Sequence, residues 1–169
     1  LGFQNAVDEI WGQMKIQRCW FHKTANILDK MPKCVQKKAT QMIRDMHMAD
    51  TRENALEAYD KFIQTFAVKY EKAAENLKKD KDDLFRFYDY PAEHWIHIRT
   101  TNPIESTFAT IRLRHKSTKG NGTAKATEAM AFKLCQQAEK SWRRLKGFEK
   151  LDLVAKDIKF ENGVLKEVA

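Results

Sequence analysis

Proline and glycine are scarce in this chain, at 3 and 6 of 169 residues, and no apolar run approaches the length of a bilayer crossing. These shortages exclude a collagen-like repeat and a membrane-spanning helix, which needs roughly 18 or more apolar residues. Cysteine is scarce as well: Cys19, Cys34 and Cys135 are an odd number at wide spacing. That is unlike the paired framework of a small secreted domain, so a reducing, cytoplasmic setting is expected. Leu1-Gly2-Phe3 has neither the basic region nor the apolar stretch of a signal peptide, and a start at Leu reads as a chain cut from something longer. There is no Walker loop, dinucleotide fingerprint, nucleophile elbow, internal repeat or low-complexity tract.

What is present is cationic and able to pack. Lys and Arg number 31 against 23 Asp and Glu, a net charge of +8, while 43% of residues are hydrophobic and 11% aromatic. A disordered tail would lack that apolar mass. The surplus of cations favours a polyanionic partner, since Lys and Arg bound to phosphates release condensed counterions. The length is that of about one domain, or a piece of one.

The apolar spacing is mostly helical. Phe3, Ala6, Val7, Ile10, Trp11 and Met14 form a stripe that predicts a first helix ending near Gly12. Lys15 to Phe21 alternates polar and apolar residues and predicts a short strand. Helices are then expected over about 24–31, over 33–48 behind Pro32, over 52–68 capped by Thr51, and over 71–79. The aromatic knot Leu84-Phe85-Arg86-Phe87-Tyr88 should lie in the core before Pro91. Asn102 as N-cap and Pro103 at the first helical position predict a helix that carries Ile104, Phe108, Ile111 and Leu113 inward. It should break in the cluster from Ser117 to Gly122. Thr123 should cap a long helix to Leu145, with Gly147 as its stop, followed by a short helix near 149–156 and a hairpin at Asn162-Gly163.

Three constellations bear on chemistry. Glu105 is a lone carboxylate beside a cationic strip: no acidic residue occurs between Ser106 and Thr127, whereas Arg112, Arg114, Lys116, Lys119 and Lys125 do. Residues 105 and 112 are two helical turns apart, on one side of the helix and about 10.5 Å apart along its axis. One could hold a divalent metal and the other a phosphate, an arrangement suited to phosphodiester cleavage. The alternative is that Glu105 favours the positive end of its helix and the strip is a solvated face. Cys19 and His22, three apart, could both reach a metal, but no matching pair completes a zinc site; otherwise they pack and hydrogen-bond at a strand end. Trp95, within His94-Trp95-Ile96-His97, could stack on an unpaired base or sit in the core, and Trp11, Trp20 and Trp142 are read as core.

Several stretches occur together in a specific order: Arg18-Cys19-Trp20-Phe21-His22-Lys23-Thr24-Ala25-Asn26, then Tyr90-Pro91-Ala92-Glu93-His94-Trp95, then Arg99 to Arg114 with Thr101-Asn102-Pro103-Ile104-Glu105-Ser106, and Thr118-Lys119-Gly120. From Leu1 to about Val164 the chain thereby resembles the Mutator-type transposases of bacterial insertion sequences. The resemblance implies a mainly α chain forming the C-terminal part of a ribonuclease-H-like α/β core with an all-helical insertion. On that mapping 1–23 is the end of the core sheet, 24–98 is the insertion, and 99–169 holds the C-terminal core helices carrying the last catalytic acid.

The same resemblance implies an Asp, Asp, Glu triad on two Mg²⁺ or Mn²⁺ ions, with Glu105 the final, metal-holding acid. Arg112 matches the family's basic position after that Glu, and Arg114, Lys116 and Lys119 extend the expected DNA contact. Cys19 and His22 match a Cys-x-x-His motif with a structural or site-organising role. Both Asp residues would lie upstream of Leu1, and Asp8 does not replace them. The 169 residues alone are therefore expected neither to cut nor to join DNA, to bind no metal tightly and to be marginally stable. The implied partners are DNA, as terminal inverted repeats and target, and further copies of the full-length protein, with no membrane and a location on the bacterial nucleoid. The competing expectation is a truncated, inactive product that binds DNA or pairs with a full-length transposase.

Overall fold

A proline or a capping threonine marks where three of the longer helices begin. A computed structural model describes residues 2–12, 15–119 and 122–166. Its elements are α1 (Gly2–Trp11), α2 (Trp20–Leu28), α3 (Lys33–Met48), α4 (Arg52–Phe66), α5 (Glu71–Lys79) and α6 (Lys81–Phe85). Two 3₁₀ turns, Arg86–Asp89 and Ala92–His94, lead to α7 (Trp95–Ile98), α8 (Asn102–Ser117) and α9 (Ala124–Glu139). After a 3₁₀ turn at Phe148–Lys150 come α10 (Leu151–Ala155) and the antiparallel pair β1 (Phe160–Glu161) and β2 (Val164–Leu165). The chain is mainly helical, as its apolar spacing requires. No helix among the described residues is long and apolar enough to cross a membrane.

Pro32 precedes α3, and Thr51 and Thr123 accept hydrogen bonds from the Asn54 and Ala126 backbone N–H groups at the starts of α4 and α9. Each such cap satisfies a donor that the first helical turn leaves without a partner. The hairpin turns at Asn162 (φ 49°) and Gly163 (φ 79°), the two left-handed residues of a tight turn. Its tip is clamped from both sides. The Asn162 side chain accepts from the Arg52 N–H at 2.7 Å, and Gly163 O accepts from the Ala92 N–H at 3.1 Å.

The main core lies between Trp20 and Tyr88. Trp20, Ile27, Ile43, Met46, Phe62, Leu77, Leu84 and Phe87 are each at most 1% exposed, with α3 and α4 packed along their lengths. The aromatic knot is central, as its composition predicts. Phe87 and Tyr88 meet the Trp95 ring edge-on at 5.3 and 4.9 Å, and Phe85 meets Trp20 at 5.4 Å. Such pairs contribute about 0.5–1.5 kcal/mol each beyond burial.

Four expectations are corrected. The strand over Lys15–Phe21 does not form: residues 15–19 are irregular and Trp20 already opens α2, four residues before the expected start. The reason is that the backbone N–H groups of Arg18 and Trp20 donate to different elements, Asp83 O at 3.0 Å and Arg99 O at 2.9 Å, so there is no neighbouring strand to pair with. Burial of the Trp20 indole, whose N–H donates to Leu84 O at 2.9 Å, overrides the local alternation. The apolar side of α8 is not inward: Ile104, Phe108 and Leu113 are 59%, 45% and 65% exposed, because α8 packs mainly along one seam with α9. Helix α9 stops at Glu139, and Trp142 is exposed rather than core. Thr101, not Asn102, occupies the N-cap position of α8, with Pro103 in its first turn. Met14, Gly120 and Asn121, and the side chains of Phe3, Trp11, Asn102 and Pro103, lie outside the described residues.

Candidate active site

Two segments about eighty residues apart in sequence meet at the start of α8. Trp20 is the anchor: its backbone N–H on Arg99 O and its indole on Leu84 O hold the first turn of α2 against the exit of α7. Cys19, the N-cap residue of α2, and His22, in its first turn, therefore face Thr101 and Glu105. His22 Nε2 lies 2.5 Å from Glu105 Oε1, and the Thr101 hydroxyl lies 2.5 Å from the same oxygen. Thr101 Oγ1 also lies 3.5 Å from Cys19 Sγ. These four side chains form one connected polar group.

The electrostatics follow from those contacts. The Thr101 hydroxyl first, and His22 next, hold the Glu105 carboxyl below its usual range, with the Arg112 charge adding to the effect. The bond to Glu105 raises the His22 imidazole. Burial pushes the Cys19 thiol up, and backbone hydrogen bonds from His22 and Thr101 pull it down. The pair is half open to solvent, with His22 and Glu105 side chains 53% and 40% exposed. Its contribution to stability is accordingly small.

The basic residues divide between two sides. Arg112 reaches Glu105 electrostatically from two turns along α8, as their spacing predicts. Arg114 instead lines a cleft of about 710 Å³ between α8 and α9, with Ser106, Thr110, Lys140 and Trp142. Lys116 is exposed near the end of α8, and Lys119 follows it in the left-handed region at φ 53°. A second, apolar cleft of about 740 Å³ lies over Ile104, Phe108, Trp142 and Leu145.

Other sequence candidates have structural partners. Trp95 is half-buried in the aromatic knot and donates to Tyr90 O at 2.9 Å, a packing role in the fold. His94 Nε2 contacts Gly147 O at 2.8 Å, and His97 Nε2 accepts from the Lys146 N–H at 2.9 Å. Among the described residues no group of three or more His, Cys, Asp or Glu side chains stands together as a metal site. Thr101 is the participant that motif reading leaves without a role; its four-residue spacing from Glu105, one helical turn, is the signal that could have found it.

Residues 1–144 match the family described as Transposase, Mutator family. The transposase for insertion sequence element IST2 of Acidithiobacillus ferrooxidans is 45% identical over 164 residues, 97% of this chain and 55% of that protein. The transposase for insertion sequence element IS6120 of Mycolicibacterium smegmatis is 47% identical over 167 residues, 99% of this chain and 52% of that protein. A third, for IS905 of Lactococcus lactis, is 29% identical over 115 residues, 68% of this chain and 29% of that protein. The chain spans about half the length of the first two relatives.

Proposed function

The chain belongs to the Mutator family of transposases, and we propose that it is the part of such an enzyme that supplies the last acidic metal ligand for DNA cleavage and strand transfer. The observation that carries this reading is the meeting of the Cys-x-x-His segment with Glu105 through His22 and Thr101. In this reading α8 and α9 belong to a ribonuclease-H-like core, residues 24–98 are the helical insertion, and DNA ends and target DNA are the substrates.

A carboxylate oxygen is the donor that a hard divalent ion takes, so Glu105 fits Mg²⁺ or Mn²⁺ as one ligand of a larger set. When bound, such ions activate the attacking oxygen and stabilise the leaving one. The remaining acidic ligands would come from the rest of a family-length protein. The chain's own residues then do three things. Thr101 and His22 keep Glu105 ionised and directed; Arg112, Arg114, Lys116 and Lys119 bind backbone phosphates; and the absence of acidic residues from 106 to 127 spares the DNA strand a repulsive neighbour. One carboxylate cannot hold a metal pair, so the 169 residues alone are proposed to bind DNA without cutting it.

The test is a chimera in which these residues replace the matching 167 residues of the Mycolicibacterium smegmatis relative. It is assayed on that element's terminal-repeat DNA with Mg²⁺. Glu105→Gln should abolish cleavage and strand transfer while leaving the gel shift intact. Replacing the four basic residues by Gln should weaken DNA binding and lower its salt dependence by up to about four phosphate contacts. Undiminished cleavage by the Glu105→Gln protein would overturn the assignment and favour the reading of an inactive DNA-binding or transposase-pairing product.

A further inference from the structure

We infer that Thr101 is a positioning residue that fixes the Glu105 carboxylate in one rotamer, with Cys19 orienting the Thr101 hydroxyl; this rests on the reading of Glu105 given above. Among the described residues three threonines stand at helix N-cap positions, and they use their hydroxyls differently. Thr51 and Thr123 accept from the backbone N–H three residues on, which is the ordinary capping bond. Thr101 makes no such bond, although its helix is as long as the one Thr123 caps. Its hydroxyl is turned to Glu105 Oε1 at 2.5 Å, the length of a hydrogen bond to an ionised acceptor. The helix start forgoes its side-chain cap, and the hydroxyl serves the carboxylate.

A hydroxyl carries one hydrogen. Given to Glu105, it leaves the Thr101 oxygen as acceptor, and the group within reach is the Cys19 thiol, 3.5 Å away. While the thiol keeps its proton, the bonds run from Cys19 to Thr101 to Glu105 Oε1. His22 meets that same oxygen from the other side at 2.5 Å. The backbone completes the lock, because the Glu105 N–H donates to Thr101 O at 2.9 Å and so fixes the two residues one turn apart. A glutamate 40% open to solvent would otherwise sample several rotamers. Two donors on one oxygen, drawn from segments eighty residues apart, hold it in one, which is the preorganisation a ligand-bearing carboxylate requires.

The test reads the carboxylate directly and does not depend on catalysis. In the ¹³C,¹⁵N-labelled 169-residue chain, side-chain couplings of Glu105 and contacts between its methylenes and the His22 ring should report one rotamer. Thr101→Val, which keeps the shape and removes the hydroxyl, should give averaged couplings and lose the His22 contact; Thr101→Ser should retain both. Backbone shifts across α8 identify any variant whose helix is disturbed, and in that case Cys19→Ala, which frees the hydroxyl without touching α8, should increase averaging by itself. In the chimera described above, Thr101→Val should lower the cleavage rate about 10- to 100-fold with little change in KM for DNA, and Thr101→Ser should restore it. A single Glu105 rotamer in Thr101→Val, or equal damage from Val and Ser, overturns the positioning role and leaves the transposase reading standing. Cleavage that survives Glu105→Gln overturns that reading and leaves the rotamer result standing.

Discussion

Lys23 is a charged side chain placed almost wholly inside the protein, at 3% exposure, and its removal offers a quantitative test of how α2 is held. Its ammonium lies 2.5 Å from Asp80 Oδ2, 2.8 Å from Asn76 O and 3.3 Å from Asn76 Oδ1, tying α2 to the end of α5. Asp80 is 15% exposed and keeps a second partner, Arg18, at 3.2 Å. Burial pushes the Asp80 carboxyl up, but the bonds and charges of Lys23 and Arg18 prevail and hold it below its ordinary value. Breaking one side of such a buried pair costs about 3–5 kcal/mol. Asp80→Asn strands the ammonium on Asn76 alone, which places it near the lower end, at about 3 kcal/mol. Lys23→Met leaves Asp80 with Arg18 and should cost about 2 kcal/mol, whereas the double variant should cost about 3 rather than the additive 5. At about 2–4 °C per kcal/mol for a chain of this size, Asp80→Asn should melt roughly 6–12 °C lower. Thermal melts and urea titrations followed by far-ultraviolet circular dichroism at pH 7 measure all four corners. The lowered Asp80 value sets the sign with pH: the pair's contribution is full above the unfolded carboxyl's pKa and disappears as pH falls through the folded one. Additivity within about 0.5 kcal/mol, or an Asp80→Asn loss below about 1 kcal/mol, would refute the reasoning.

Burial, with Arg99 nearby, pushes the His47 imidazole from 6.5 down to about 4, so the unfolded chain takes up a proton that the folded chain refuses. Stability should therefore fall by at most about 3 kcal/mol as pH drops from near 6.5 to near 4, and His47→Phe should flatten that part of the curve; an unchanged slope in the variant would exclude His47 as the source. Gly163→Ala should cost about 2 kcal/mol or more, since φ is +79° and the added carbon would lie 2.6 Å from Ala92 Cβ; a variant that melts with the parent would show that the hairpin does not dock on Ala92. Trp142→Ser should cost this chain about 1–2 kcal/mol, less than the size of the side chain suggests, because 61% of it is exposed; a loss like that of a core tryptophan, about 3–5 kcal/mol, would contradict the placement of the segment after α9.

Local physics was legible wherever neighbouring residues alone decide the outcome. Pro32 and the following spacing place α3, and Thr51 and Thr123 cap α4 and α9 as their positions predict. The left-handed Asn162-Gly163 turn closes the hairpin, and the aromatic knot around Phe87 enters the core. Each depends on a cap, a ring constraint or a stripe readable within a dozen residues. Glu105 was legible as a motif position, and its relation to Arg112 as a helical repeat.

The tertiary structure decided whatever depends on who meets whom. Lys15 to Phe21 has the alternation of a strand, but its backbone donors find Asp83 and Arg99 instead of a neighbouring strand, and the burial of Trp20 winds it into α2. The apolar face of α8 has the pattern of a core helix, yet burial requires a surface to meet, and the described residues pack α8 chiefly against α9 along one seam. Thr101 has no role in the sequence until the fold brings Cys19 and His22 across from it. By itself the sequence determined most of the helices, the caps of α4 and α9, and the two-turn relation of Glu105 to Arg112 along α8. The fold alone decided that the acid is gripped, because the two donors come from segments eighty residues apart, a separation over which no local periodicity carries information.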